Sequence, residues 1–268
     1  MAQILLLETA ASALSVALAR DGAVVCERVC TEPRQQASMT APLVKEVLDE
    51  AGVRLQDCAA VAVSSGPGSY TGLRVGVSTA KGLAFGAGLP LISVCTLDIL
   101  VAEVLSAAPA AAAASSGAGV AGLAGASCAT GVSAVSAAAE AAGVSGAFRT
   151  IVPMLDARRM EVYTATYGPG GQRLTPVQAL VVTAESFAAE LAAGPVLFVG
   201  DGALKCQPLL QHPHANFRAA VPLARHMAPL AFQAYQAGRF EDVAYFEPFY
   251  LKDFVATVSK KPWLPPTL

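Results

Sequence analysis

Apolar and polar positions follow a strand-like pattern at the start of the chain. Residues 4–7 are a continuous apolar run, and residues 14–19 alternate with a period of two. Asp21 and Gly22 form a hairpin turn signal before a third run at residues 24–29. The pattern predicts three antiparallel strands, which differs from the strand–helix–strand opening of a dinucleotide-binding fold.

Amphipathic helices and short buried strands are predicted next. Apolar residues recur at intervals of four across residues 39–51, and a glycine follows them. The apolar positions of this helix include Met39, Leu43 and Val47. Apolar runs at residues 61–63 and 91–94 predict strands, followed by helices over 72–86 and 97–105. This order of elements is typical of one ribonuclease-H-like lobe.

A low-complexity segment divides the chain. Residues 106–147 are almost all Ala, Gly, Ser and Val, with little apolar area to offset the entropy of ordering them. We interpret them as an insertion between an N-terminal lobe, residues 1–105, and a C-terminal lobe with its tail, residues 148–268. In the second lobe, the elements predicted are strands 151–155, 161–167 and 196–199 and helices 186–192 and 227–237. The fold class expected is α/β, with two ribonuclease-H-like lobes of the actin-like ATPase superfamily and mixed sheets flanked by helices.

Composition narrows the class of protein. Of 268 residues, 54% are hydrophobic and 14% charged, with a net charge of −2. No run of about 18 apolar residues lacks polar residues, so we expect no membrane span. The N-terminus lacks a secretion signal, and the six cysteines form no Cys-x-x-Cys pair; both indicate a reduced, cytoplasmic protein. Lys and Arg are scattered, so any RNA is expected to be held mainly by another protein.

The stretch with the clearest chemistry is the run SSGPGSYTGLR at residues 64–74. It follows a strand, opens a helix and carries Gly66, Gly68, Ser69 and Gly72. Glycines leave the backbone N–H groups accessible to a ligand, and such groups at a helix N-terminus favour the binding of anions. The spacing fits neither a Walker A loop, nor the dinucleotide fingerprint, nor a nucleophile elbow. A tight strand-to-helix turn with no ligand therefore remains an alternative.

The following helix has one side with very small residues. Gly72, Gly76, Ala80 and Ala84 recur at intervals of four, and Leu73, Arg74 and Val77 flank them. Small residues allow close approach of another helix or strand. The sequence leaves open whether that partner lies within the lobe or in another protein.

Further candidates lie where strands end. Glu8 and Thr9 follow the first strand, Asp156 follows its counterpart in the second lobe, and Gly200, Asp201 and Gly202 follow a later strand. In an actin-like fold these turns approach phosphates, a metal or adenosine, although each is also an ordinary turn residue. No metal site is predicted, because the three histidines, His212, His214 and His226, lack a metal-ligand arrangement.

These motifs resemble the bacterial TsaB (YeaZ) family, the partner protein in making threonylcarbamoyladenosine on tRNA. The resemblance rests on SGPGSYTGLRVG followed by AKGLA, on DARRMEVY from Asp156, and on PFYLK from Pro248. It covers most of residues 3–105 and 151–256. The sequence departs from the family at Glu8, where many relatives have Asp, and in the length of the 106–147 segment.

The resemblance implies a subunit with no catalysis and no cofactor of its own. It implies a heterodimer with the catalytic paralogue TsaD, onto which the ATPase TsaE docks, with ATP and metal handled by these partners and tRNA reached only through the complex. Homodimers through the same surface are also implied. The interface residues expected are Met39, Leu43, Val47, Gly72, Leu73, Arg74, Gly76, Val77, Ala80, Lys81 and Ala84. A vestigial nucleotide cleft is expected at Glu8, Thr9, Gly66, Gly68, Ser69, Asp156, Gly200, Asp201 and Gly202.

Two enzyme hypotheses compete with this one: an ATPase or sugar kinase of the same superfamily, and a metallopeptidase. The partner hypothesis predicts that Gly76→Leu or Ala80→Trp abolishes association with the paralogue while the protein still melts cooperatively.

Overall fold

The computed structural model of the chain describes residues 1–106 and 148–252. The predicted insertion over 106–147 therefore lies, apart from its first residue, outside the described residues. The elements before it are β1 (Gln3–Glu8), β2 (Leu14–Arg20), β3 (Ala23–Cys30), α1 (Gln36–Ala51), β4 (Ala60–Gly66), α2 (Tyr70–Ala87), β5 (Leu91–Cys95) and α3 (Thr96–Ser106). The elements after it are β6 (Thr150–Asp156), β7 (Glu161–Thr164), β8 (Gln178–Val181), α4 (Ala188–Ala193), β9 (Val196–Val199), α5 (Asp201–Cys206), β10 (Ala215–Arg218) and α6 (Ala224–Gln236).

Strands β1 to β5 form the first sheet, in the order β3-β2-β1-β4-β5. Strand β1 is antiparallel to β2 and parallel to β4. The two central strands, β1 and β4, are buried along nearly their whole length, as the continuous apolar runs predict.

The second sheet repeats this topology. Its order is β10-β9-β6-β7-β8, so the first strand of the lobe again lies between its antiparallel second strand and its parallel fourth strand. Two sheets with one strand order confirm the predicted pair of ribonuclease-H-like lobes. Several boundaries differ from the prediction: the strand expected over 161–167 ends at Thr164, the helix expected over 186–192 begins at Ala188, and the helices expected from residues 39 and 227 begin at Gln36 and Ala224. Strands β8 and β10 and helix α5 were not predicted.

The helices are distributed differently from the predicted division at residues 105 and 148. Helices α1 and α2 pack on one face of the first sheet, and α6, from the C-terminal part of the chain, packs on its other face. Conversely α3, from the N-terminal part, packs through Leu97, Leu100 and Val101 on the second sheet. Each lobe is therefore completed by a helix from the other half of the sequence, which a linear boundary cannot represent.

Within the described residues, no helix combines the length and the apolar character that crossing a bilayer requires.

Candidate functional site

The turn after β1 is closed around a buried carboxyl group. Glu8 is fully buried, and its Oε1 accepts a hydrogen bond of 2.6 Å from the backbone N–H of Ala10. Its Oε2 has no hydrogen-bond partner among the described residues. Burial raises the pKa of Glu8 to about 8, because the charged form loses its hydration. Glu8 is therefore largely protonated at neutral pH.

The N-terminus of α2 packs directly against this turn. The backbone N–H of Ser69 donates to the carbonyl of Ala10 at 2.7 Å, and Thr9 Oγ1 donates to the carbonyl of Gly72 at 2.8 Å. Ser69 Oγ accepts from the N–H of Gly72 at 3.3 Å and caps the helix. The N–H groups of Ser69 and Gly72 at the start of α2 are therefore bonded within the chain itself.

The small-residue ridge of α2 faces this turn. A methyl group added to Gly72 would overlap the carbonyl of Thr9, and one added to Gly76 would overlap the Thr9 side chain. Gly68 approaches Ala10 equally closely. The ridge is thus an intramolecular contact, one of the two alternatives that the sequence left open.

The predicted interface needs correction for this reason. Residues buried inside the first lobe cannot form the surface that another protein meets first. Among the residues predicted for the interface, the buried ones are Leu43, Val47, Gly72, Leu73, Gly76, Val77, Ala80 and Ala84. Met39 is half-buried, and only Arg74 is exposed. Lys81 anchors the C-terminal segment, because its Nζ donates to the carbonyls of Ala244 at 3.1 Å and Phe246 at 2.9 Å.

A second ridge on α2, offset by two residues from the first, is exposed. It consists of Arg74, Ser78, Gly82 and Gly86, again at intervals of four, and we call it the outer ridge. Added methyl groups at Gly82 and Gly86 would meet nothing within 4 Å. Beside it Phe85 is 83% exposed, which is unusual for a large apolar side chain. The predicted interface includes only Arg74 of this surface, although the spacing of Ser78, Gly82 and Gly86 in the sequence indicates it.

The matching turn of the second lobe is also tightly packed. The carboxylate of Asp156 accepts hydrogen bonds from Lys205 Nζ and, at 2.8 Å, from the backbone N–H of Arg158. Asp201 Oδ1 accepts from the N–H of Asp156 at 3.0 Å, and burial raises the pKa of Asp201. Gly200, with φ of 123°, lies against the carbonyl of Met154. Asp156, Gly200, Asp201 and Gly202 therefore come together, in contact with one another and with β6.

A C-terminal segment connects the two turns. The N–H of Phe249 donates to the carbonyl of Ser65 in the first lobe at 2.7 Å, while Lys252 forms an ion pair with Glu161 in the second lobe. Between them, the rings of Tyr250 and Tyr70 lie 5.0 Å apart. We call residues 249–252 the strap. A groove of about 310 Å³ separates the preceding residues from α2; it is lined by Tyr70, Arg74, Val77, Ser78, Lys81, Phe246, Glu247, Pro248 and Tyr250.

In the described part of the chain, no three His, Cys, Asp or Glu side chains form a cluster that could hold a metal ion. The rings of His212 and His214 lie 5.3 Å apart, but His214 Nδ1 contacts the carbonyl of Leu191 at 2.8 Å. Burial lowers the pKa of His226 to about 4, because the charged imidazolium is poorly hydrated there.

Comparison with known proteins identifies the family. The family model of TsaD, tRNA N6-adenosine threonylcarbamoyltransferase, matches residues 31–125. The tRNA threonylcarbamoyladenosine biosynthesis protein TsaB of Escherichia coli K12 is 30% identical over 264 residues, which is 95% of this chain and 96% of that protein. The chain belongs to the TsaB family. A solved structure of YeaZ from Pseudomonas aeruginosa matches with a TM-score of 0.69 and 26% identity, covering 94% of this chain and all of that one.

The catalytic relatives are similar over a shorter part of this TsaB-family chain. A tRNA N6-adenosine threonylcarbamoyltransferase from Granulibacter bethesdensis is 44% identical over 80 residues, 30% of this chain and 21% of that enzyme. The family assignment links the chain to the biosynthesis of threonylcarbamoyladenosine on tRNA, and the two-lobed fold agrees with it.

The geometry divides the predicted site residues of this TsaB family member into two groups. Glu8, Thr9, Gly68 and Ser69 meet around the closed turn of the first lobe, where Gly66 also approaches the strap through the carbonyl of Phe249. Asp156 and residues 200–202 meet in the second lobe. Each turn is closed by hydrogen bonds and close packing within the chain.

Proposed function

We propose that this chain is a non-catalytic partner subunit that binds and activates the catalytic paralogue TsaD. The reaction of that complex is transfer of the threonylcarbamoyl group to adenosine 37 of tRNAs that read codons beginning with A. In this proposal the ATPase TsaE docks on the pair, the tRNA is reached only through the complex, and the complex works in the cytoplasm. ATP and metal are handled by the partner subunits.

The observation that carries the non-catalytic role is the closed turn after β1. Ser69 and Gly72 engage the Ala10 carbonyl and the Thr9 hydroxyl, and the Glu8 carboxyl is buried and largely protonated at neutral pH. An ATPase or kinase needs an exposed, ionised carboxylate and open backbone donors at this point. In this chain the Glu8 carboxyl instead bonds the N–H of Ala10, and the N–H of Ser69 bonds the carbonyl of Ala10.

The outer ridge of α2 supports the binding role. Its small residues would let a partner helix approach the α2 backbone closely, and Phe85 offers apolar surface beside it. A paralogue with a similar N-terminal lobe presents an equivalent helix, so the same surface could also pair two copies of this chain.

Gly82→Arg tests the interface without disturbing the lobe. The added side chain extends from an open position of α2, and arginine favours a helix over glycine by up to about 1 kcal/mol. We expect the variant to melt no lower than the wild type but to bind the purified paralogue at least about tenfold more weakly, a loss of ~1.4 kcal/mol. Calorimetric titration of the paralogue measures this.

Ala192→Arg, on the exposed side of α4, is the matched control and should bind normally. If Gly82→Arg binds the paralogue with unchanged affinity, the outer ridge of α2 is not part of the interface. Gly76→Leu and Ala80→Trp, which the sequence favoured, cannot serve this purpose, because both positions are buried and the changes would damage the lobe itself.

A further inference from the structure

The turn between β6 and β7 displays two adjacent arginines. Arg158 and Arg159 are both exposed, and both have left-handed backbone conformations, with φ of 68° and 53°. Left-handed residues other than glycine are uncommon, and each such conformation costs about 1 kcal/mol or more. Neither guanidinium forms an ion pair or hydrogen bond with another described residue. The chain therefore maintains two uncompensated positive charges in an unfavourable backbone conformation.

Hydrogen bonds hold the arginine turn in one conformation. The N–H of Arg158 donates to Asp156, and the N–H of Glu161 donates to the carbonyl of Arg158 at 3.2 Å. Lys205 Nζ bonds both the Asp156 carboxylate and, at 2.8 Å, the carbonyl of Glu161. The acidic groups near the turn are thereby engaged by internal donors, and the arginine side chains remain available to a ligand.

Further cations connect this turn to α2. Lys252 forms an ion pair with Glu161, whose backbone N–H donates to the carbonyl of Arg158 at 3.2 Å, so this cation lies beside the arginine turn. Lys252 follows Tyr250 by two residues, a reach of at most about 7 Å. The rings of Tyr250 and Tyr70 lie 5.0 Å apart, and the guanidinium of Arg74 is 5.5 Å from the centre of the Tyr70 ring. Arg74, Lys252, Arg158 and Arg159 thus form a series of cations from the outer ridge to the second lobe, opposed by Glu161, which pairs with Lys252, and by Glu247.

We propose that Arg158 and Arg159 bind phosphate groups of the RNA that the complex modifies. The inference rests on the proposed function: the substrate is a polyanion that extends beyond the partner's active site. Planar guanidinium groups match phosphate geometry, and a fixed turn loses little entropy when it binds. Because the series of cations begins at the proposed interface, RNA bound to the partner can continue onto this chain.

The test measures binding of a fluorescently labelled, unmodified tRNA transcript to the purified complex of this chain with the catalytic paralogue. Arg158→Ala/Arg159→Ala should weaken binding about tenfold or more at 0.1 M salt. The slope of log K against log salt concentration should become shallower by about 1 for each phosphate group that the variant no longer binds. Arg158→Lys/Arg159→Lys should retain part of the affinity, because lysine keeps the positive charge but not the planar pair of donors.

Arg20→Ala/Arg239→Ala is the matched control. It removes the same charge from the first lobe, at positions with no ion pair to a described residue, and should leave binding unchanged. Arg158→Gly/Arg159→Gly suits the left-handed backbone, so it tests the side chains even if the alanine variant folds poorly. It should weaken RNA binding as much as the alanine pair.

Three results would overturn the inference: unchanged RNA affinity in the glycine variant, an equal loss in the control, or a loss of association with the paralogue in place of RNA binding. The last result would assign the arginines to an acidic protein surface. If the wild-type chain and the paralogue do not associate at all, the proposed function fails first; normal association with unchanged RNA affinity refutes this inference alone.

Discussion

At the scale of single residues, Glu8 decides how the first lobe is interpreted. A glutamate at the end of an apolar strand suggests a surface turn or a ligand, and sequence alone supports both. The structure buries it because α2 returns over the turn and covers it, a contact between residues about 60 positions apart. Local sequence carries no signal for such a contact, so the residue was found but its protonation was not predicted.

Burial of Glu8 predicts a pH-dependent stability. Its folded pKa, about 8, lies above the unfolded value of 4.5, so its stabilising contribution is fully present below pH about 4.5 and is lost as pH rises to about 8. We expect the free energy of unfolding to fall by a few kcal/mol over that window. Glu8→Gln removes this component, and urea denaturation between pH 4.5 and 9 measures the difference.

Glu103 contributes with the same sign, because burial raises its pKa to about 7. The variant should therefore keep part of the wild-type slope. Parallel stability curves for wild type and Glu8→Gln across the whole range would show that the Glu8 carboxyl is not protonated by burial.

At the scale of elements, α2 shows what periodicity can and cannot predict. The interval of four residues predicted a helix with a small-residue side, and the structure confirms both. The direction of that side depends on where β1 and α1 lie, and here the helix has two such sides, an inner and an outer ridge. The predicted strands of the first sheet were largely correct. A strand that is covered on both faces is apolar at consecutive positions, so a continuous apolar run identifies it without knowledge of what covers each face.

Helix α6 depends on residues far from it in sequence. The residue before it, Leu223, offers no side-chain cap; instead Ser15 Oγ on β2 accepts from the N–H of Ala224 at 2.8 Å. Glu27 on β3 accepts from the N–H of Arg225 at 3.0 Å and pairs with its side chain. Ser15 and Glu27 thus accept from backbone N–H groups that have no partner within the first turn of the helix.

Ser15→Ala should therefore lower the free energy of unfolding by about 1–2 kcal/mol, since it leaves a buried N–H without a partner. Thermal or chemical denaturation measures the loss. Ser12→Ala, at an exposed position before the same strand, is the control and should change stability by less than about 0.5 kcal/mol. Equal effects of the two changes would show that the cap contributes nothing.

At the scale of the whole molecule, the two halves of the sequence depend on each other. Without α6, one face of the first sheet would expose Ile4, Leu6, Ile92 and their neighbours. Composition predicted two lobes because a low-complexity segment, residues 106–147, lies between two segments of ordinary composition in the sequence. The exchange of α3 and α6 was not predictable, because nothing in an amphipathic helix says which sheet it covers.

A fragment of residues 1–106 should consequently lack a cooperative thermal transition. Joining residues 221–240 to it through a flexible Gly/Ser linker of about 30 residues, long enough to span the lobe, should restore one. Circular dichroism followed over temperature distinguishes the two fragments. A wild-type-like transition in the shorter fragment would show that the first sheet does not need α6.

The two ridges of α2 have a mechanical consequence. Because Gly82 and Gly86 on the outer side and Ala80 and Ala84 on the inner side carry little or no side chain, a subunit seated on this part of α2 would be separated from the core of the first lobe by little more than the helix backbone, about 5 Å between Cα atoms on opposite sides. A displacement of α2 by a docked subunit is therefore transmitted to the residues packed beneath it, because no large side chain lies between them. Docking of a neighbour on this part of α2 would in this way change the packing of the core beneath it.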